Sequence, residues 1–135
     1  MKRALGVLAL CLLLVPACAS EEEQPAEAAP TPATPCLPPS CVEIVVDGFD
    51  YVFSPAEIST RAGTVRFVLR NFGKKVHNLK VQGGAVEART PNLAPGAVGF
   101  VDVTLEPRRY DIYCTITGHA ERGMRGRLIV TREPP

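Results

Sequence analysis

The chain has 135 residues, with 15 Lys+Arg against 14 Asp+Glu for a net charge of +1, and it is 46% hydrophobic but only 6% aromatic. That length holds one domain, the balanced charge gives no electrostatic footprint for nucleic acid, and the apolar fraction is too high for a wholly disordered chain. Two His, two Met, five Cys and no Trp leave very few side chains from which to build any chemistry.

Lys2 and Arg3 precede an apolar run, Ala4 to Val15, of signal-peptide length and too short to span a bilayer. Residues 1–19 therefore read as an export signal. Val15-Pro16-Ala17-Cys18 reads as a bacterial lipobox that would lipidate Cys18; ordinary cleavage after Ala19, using the small residues Ala17 and Ala19, is the alternative. Both readings place the mature protein outside the cytoplasm, where disulfides persist. The lipid reading anchors it to a membrane on the periplasmic or extracellular side, and the other releases it as a secreted or periplasmic protein.

Residues 20–41 change character, mixing Glu21, Glu22, Glu23 and Glu27 with Ala, Thr and six prolines between Pro25 and Pro39. Such a stretch buries too little to fold and reads as an extended tether. Cys36 and Cys41 flank Leu37-Pro38-Pro39-Ser40. In an oxidising compartment they are expected to form a disulfide stapling the tether to the first strand; a second metal site there is the weaker alternative, since no His is left to complete it. Residues 42–135 form the expected folded domain, with 13 basic against 10 acidic side chains, net +3. Arg122, Arg125 and Arg127 read as solvated strand and loop residues, with a rim for an acidic partner as the second reading.

Strands are expected at Val42–Val46, Thr64–Leu69, Val76–Val81, Ala97–Leu105, Tyr110–Cys114 and Arg125–Thr131, which are rich in β-branched and aromatic residues. Val65, Phe67 and Leu69 share one face, and Phe100 and Asp102 alternate against Val101 and Val103. Turn signals at Asp47-Gly48, Ala62-Gly63, Phe72-Gly73, Gly83-Gly84, Pro95-Gly96 and Glu106-Pro107 separate the runs. About seven or eight short strands and no helical stripe predict an all-β fold, a two-sheet antiparallel sandwich.

The scarce residues converge near the C-terminus, where Cys114, His119 and Met124 are spaced Cys-x4-His-x4-Met, with His77 upstream. Once the signal is gone, the two His and the one remaining Met all belong to this set. Taken singly, each has an ordinary explanation: a satisfied histidine, core filler, or a Cys114 paired with Cys36 or Cys41. Together, a thiolate, two imidazoles and a thioether suit copper, and a trigonal His2Cys set with a weak axial Met is the arrangement of mononuclear blue-copper sites. Cys114 ends a strand, a Gly-containing loop returns His119 and Met124 to the same point, and His77 comes from a neighbouring strand.

Phe53-Ser54-Pro55 followed by Ile58, Ala62-Gly63-Thr64, Asn71 leading to His77-Asn78, and Tyr113-Cys114 through Gly118-His119 to Gly123-Met124-Arg125-Gly126 carry a family resemblance. From Val42 to Thr131 the chain resembles the cupredoxins, the plastocyanin/azurin family of small blue-copper proteins, and its ligand loop is most similar to that of auracyanin-like, membrane-anchored bacterial members. The Cys-to-His spacing is longer than in plastocyanin, and the His-to-Met spacing is longer than in azurin. The resemblance implies a Greek-key sandwich holding one type 1 copper, with His77, Cys114 and His119 as strong ligands and Met124 as the long axial one. It implies too that Asn78 hydrogen-bonds across to the Cys loop at Thr115. It further implies a monomeric, tethered electron carrier that meets transient redox partners, a cytochrome, oxidase or reductase, through an apolar patch around His119 drawn from Phe72, Leu93, Ala94, Pro95 and Ala120. A copper-delivery or copper-protection module is the alternative, although such proteins favour exposed Met- or His-rich clusters. An enzyme is not expected: multi-copper catalysis needs more His, and a dinuclear copper centre needs a second Cys where Ile116, Thr117 and Gly118 stand.

Overall fold

Alternation along the strands decides which side chains are kept dry, and the dry faces define the two sheets. The computed structural model describes Cys36 and residues 41–133. The export signal, Cys18 and the tether lie outside the described residues, apart from Cys36 and Cys41. Nine strands follow in order: β1 Val42–Phe49, β2 Val52–Ser54, β3 Glu57–Arg61, β4 Gly63–Asn71, β5 Lys80–Gly83, β6 Val86–Arg89, β7 Val98–Leu105, β8 Arg109–Tyr113 and β9 Arg125–Thr131. Among the described residues no helix forms.

One sheet has the order β2-β1-β4-β7 and the other β3-β9-β8-β5-β6. The sandwich is all-β as expected, but it is not purely antiparallel. β1 runs parallel to β4, with Val46 beside Leu69, and β3 runs parallel to β9, with Ile58 beside Leu128. Parallel neighbours need a crossover. The chain supplies one by leaving the first sheet after β2, adding β3 to the second, and returning as β4. Alternation reports which face is buried and says nothing about the direction of the neighbouring strand.

Val65, Phe67 and Leu69 of β4 are completely buried, and they share one hydrophobic core with Val81 of β5, Tyr110 and Ile112 of β8, and Leu128 and Val130 of β9. Removing each such aliphatic or aromatic side chain from water contributes about 1.5–3 kcal/mol. On the outer face Arg66 forms two hydrogen bonds to Asp102, at 2.7 and 2.6 Å, and lies 4.3 Å over the Phe100 ring. That cover leaves a charged residue nearly buried on the solvent side. Cys36 and Cys41 are joined by a disulfide at the entrance to β1, with Cα atoms 5.5 Å apart.

The expected strand at Val76–Val81 is divided. His77 pairs only with Leu93, in an isolated antiparallel bridge, and regular pairing starts at Lys80. The backbone at His77 is thus fixed by two hydrogen bonds to Leu93, at 3.1 and 2.8 Å, while its side chain turns into the end of the sandwich.

Gly126 sits in β9 beside the carbonyl of Ala56, which accepts a hydrogen bond from Arg127 N at 2.8 Å. A Cβ at this position would collide with that carbonyl, a backbone group that cannot swing aside. Gly126→Ala is expected to lower stability by about 1–3 kcal/mol, read as a reduced urea midpoint. An unchanged midpoint would show that the β2–β3 connection yields freely.

Candidate metal centre

The β8–β9 hairpin carries the site at its mouth. The ladder ends at Tyr113 opposite Arg125 and is extended by one more bond, from Cys114 N–H to the Met124 carbonyl at 3.0 Å. Between these two residues the loop folds on itself. His119 N–H donates to Ile116 O (3.0 Å), and the His119 carbonyl accepts from both Met124 N (3.0 Å) and Arg122 N (3.2 Å). Gly118 and Gly123 take φ of +78° and +110°, values that side chains with a Cβ rarely adopt, and so permit the two reversals. Arg125 Nε closes over the loop onto Ala120 O at 2.9 Å.

This geometry brings His77, Cys114 and His119 together: their donor atoms all lie within 4.8 Å of one another. The two imidazole Nδ1 atoms are 3.1 Å apart, and Cys114 Sγ is 3.6 Å from His119 Nδ1. Cys114 is a free thiol, 1% exposed, and His77 is fully buried while His119 keeps 8% of its surface. Met124 is fully buried on the same loop, with its methyl group beside Gly48. Bonds of about 2.0–2.3 Å to nitrogen and sulfur would hold three trigonal donors roughly 3.5–4 Å apart. The separations of 3.1 and 3.6 Å are close to that spacing, and the soft and borderline donors match copper. The residues therefore fit the metal.

Protonation is arranged by the surroundings. His77 Nε2 lies 3.0 Å from Asp50 Oδ1, and a carboxylate only accepts, so the ring nitrogen is the donor in this contact while Nδ1 faces the cluster. That hydrogen bond from His77 is the main reason the Asp50 carboxyl sits below its ordinary value, with partial burial opposing and the Lys74 and Lys75 amides assisting. Burial pushes His119 below the usual imidazole range, and the positive charge of Arg122 adds to this. The ring is therefore neutral at pH 7, the state in which an imidazole can bind a metal.

A polar clasp joins the two halves of the site. Asn78, fully buried, donates from Nδ2 to Thr115 Oγ1 at 2.9 Å and to Asn92 Oδ1 at 2.7 Å, while its Oδ1 accepts from Thr115 N at 2.8 Å. Asn71 performs a similar task one turn away, accepting from Gly73 N (2.9 Å) and donating to Lys75 O (2.8 Å) and Leu93 O (2.9 Å). Among the described residues no buried side-chain polar atom is left without a partner.

Two residues that the sequence reading passed over, Asp50 and Tyr51, pack against the cluster. Tyr51 sits at φ +73°, a left-handed conformation uncommon for a non-glycine residue. Its ring meets His119 edge-on at 5.0 Å and His77 at 6.4 Å, and Arg122 both covers it at 4.7 Å and donates to its hydroxyl at 2.8 Å. Two of the three basic residues noted near the C-terminus thus brace the loop: Arg122 through Tyr51 and Arg125 through Ala120. Arg127 lies only loosely beside Glu57, at 3.9 Å. Leu93, named for the apolar patch, is 6% exposed and belongs to the core, because its bridge to His77 turns it inward.

Asn78→Ala would leave the Thr115 amide without its acceptor. The expected loss is about 1–3 kcal/mol of metal-free stability, measured by denaturant unfolding. A stability equal to that of the wild type would mean that water replaces the clasp.

The comparisons with known proteins agree with this geometry. No curated protein sequence matches the chain significantly. Among solved structures, auracyanin B aligns with a TM-score of 0.60 at 23% identity, covering 66% of this chain and 88% of that one. Auracyanin A, a "blue" copper protein from Chloroflexus aurantiacus, aligns at 0.58 and 22%, covering 67% and 99%. Dithionite-reduced auracyanin from Roseiflexus castenholzii aligns at 0.60 and 19%, covering 68% and 97%. These likenesses show the cupredoxin fold. A family model for copper-binding proteins of the plastocyanin/azurin family matches residues 40–131, so the chain belongs to that family, and one type 1 copper is its cofactor.

Proposed function

We propose that this protein is a one-electron carrier working outside the cytoplasm, in which His77, Cys114 and His119 would be the strong copper ligands and Met124 the weak fourth one. The observation that carries this reading is the dry thiol flanked by two imidazoles in a loop fixed at its neck, its middle and its flank. Copper held there supplies a Cu(II)/Cu(I) couple. The chain's own part is to keep the donors in place through both oxidation states. Cys114 and Met124 are tied to each other by a backbone bond, His77 is fixed by its bridge to Leu93, and Asn78 ties the His77 segment to Thr115. A donor set that cannot relax lowers the rearrangement accompanying each transfer.

Electrons would enter and leave at the exposed edge of His119. The family resemblance implies an apolar patch there, and of the residues it names Phe72 is 59% exposed, Ala94 and Pro95 are exposed and Ala120 is half-buried. The segments bearing Phe72 and Pro95 are held together by hydrogen bonds between Asn71 and both Gly96 and Ala97, at 2.8 and 2.9 Å. A small apolar face suits partners that must separate after each exchange, since transient redox encounters use interfaces at the low end of the size range. The protein is read as a monomeric carrier and not as an enzyme.

The remaining organisation belongs to the same proposal. Residues 1–19 export the chain, Cys18 anchors it by lipidation unless cleavage falls after Ala19, residues 20–41 form the tether, and residues 42–135 the copper domain. A Pro-rich composition is that of a spacer, which would hold the copper domain off the membrane surface.

Adding Cu(II) to the full chain is expected to produce an intense visible thiolate-to-copper band, and Cys114→Ser is expected to abolish it. Colourless binding of copper, with affinity unaltered in Cys114→Ser, would replace electron transfer with copper handling.

A further inference from the structure

Asp50 lies between β1 and β2, well away from His77 in sequence, and nothing in the ligand pattern points to it. In the fold its Oδ1 collects three donors: Lys74 N at 2.9 Å, Lys75 N at 3.2 Å and His77 Nε2 at 3.0 Å. The two amides belong to the turn that leads into His77, so the carboxylate is itself anchored before it meets the ring. Space is reserved for this contact. A Cβ on Gly73 would lie 2.5 Å from Asp50 Oδ1 and 2.7 Å from His77 Nε2, directly in the hydrogen bond. The side chain of His77 is fully buried and that of Asp50 is 31% exposed, so the pair reaches from the donor cluster to the surface.

We propose that Asp50 is a positioning residue that fixes the tautomer and orientation of His77 and biases the copper couple toward its oxidised state. The inference rests on the copper reading given above. Two physical effects act together. Fixing the proton on Nε2 leaves Nδ1 as the sole lone pair of the ring, and a carboxylate partner makes that nitrogen more basic than a carbonyl partner would. A negative charge beside the site also favours the more positive of the two copper states, and so lowers the reduction potential.

Asp50→Asn separates charge from geometry, because an amide oxygen can accept the same three hydrogen bonds. In the full chain it is expected to fold normally, keep the visible band and raise the reduction potential. Asp50→Ala removes the acceptor as well. Cu(II) affinity should then fall roughly 10–100-fold, and each tenfold loss of Cu(II) over Cu(I) affinity raises the potential by about 59 mV. Glu57→Gln, which removes an exposed charge paired only loosely with Arg127, serves as the control and should leave the potential alone. Imidazole NMR of the metal-free chain adds a readout independent of copper: His77 should be the Nε2–H tautomer in the wild type and a mixture in Asp50→Ala.

Potentials of Asp50→Asn and Asp50→Ala equal to that of Glu57→Gln would overturn the proposal. An Nδ1–H tautomer at His77 in the wild type would overturn it too. A wild-type chain that takes up no copper would sink the carrier reading instead, and the tautomer experiment would still decide the role of Asp50. Because Asp50→Asn keeps the acceptor for both amides, it carries the test even if Asp50→Ala unfolds.

Discussion

The backbone bond from Cys114 N–H to the Met124 carbonyl, 3.0 Å long, is the constraint on which the open end of this sandwich depends. It continues the β8–β9 ladder one step past its last regular pair and closes the intervening loop at its neck. With both ends held, the loop has only its interior to arrange, and the His119 carbonyl does so by accepting from Met124 and Arg122. Cys114, His119 and Met124 are thereby referred to one rigid hairpin. His77 is referred to the same sheet through its bridge to Leu93 and the clasp between Asn78 and Thr115.

Burial makes this bracing necessary. A thiol and two imidazoles with almost no contact with water lose their solvent hydrogen bonds, and an orphaned buried polar group costs about 1–3 kcal/mol. The structure offsets part of that cost: Asp50 accepts a hydrogen bond from His77 Nε2, and Cys114 Sγ lies 3.6 Å from His119 Nδ1. The same desolvation that makes the site costly keeps His119 neutral and available. Tyr51, held in a left-handed conformation and pinned by Arg122, completes the enclosure on the solvent side. A backbone conformation of that kind persists only where its surroundings over-determine it.

Legibility in the sequence followed the strength of local patterns. Val65, Phe67 and Leu69 announce β4 and its buried face, and Val101 and Val103 announce β7, because apolar side chains at every second position have the period of a strand. β2 has three residues and β6 four, too few to show a period, and β3 offers Ile58 as its lone large apolar side chain. The two parallel pairings were unreadable for a different reason: direction is a property of the crossover, which involves residues far apart in the chain. Leu93 looked like a surface residue because its neighbours Ala94, Pro95 and Gly96 are turn residues. Its inward aim comes from the bridge to His77.

Taken alone, the sequence determined the all-β class, the family and the scarce residues on which a copper site could be built, since composition, period and motif spacing are local properties that survive without a fold. Tertiary structure alone decided the sheet order, the two parallel pairings and the setting of the site. Asp50 and Tyr51 reach His77 and His119 across separate elements, and Arg122 becomes a brace only because Tyr51 lies beneath it. Such contacts arise where the strands of two sheets end at one edge, and no spacing along the chain encodes them.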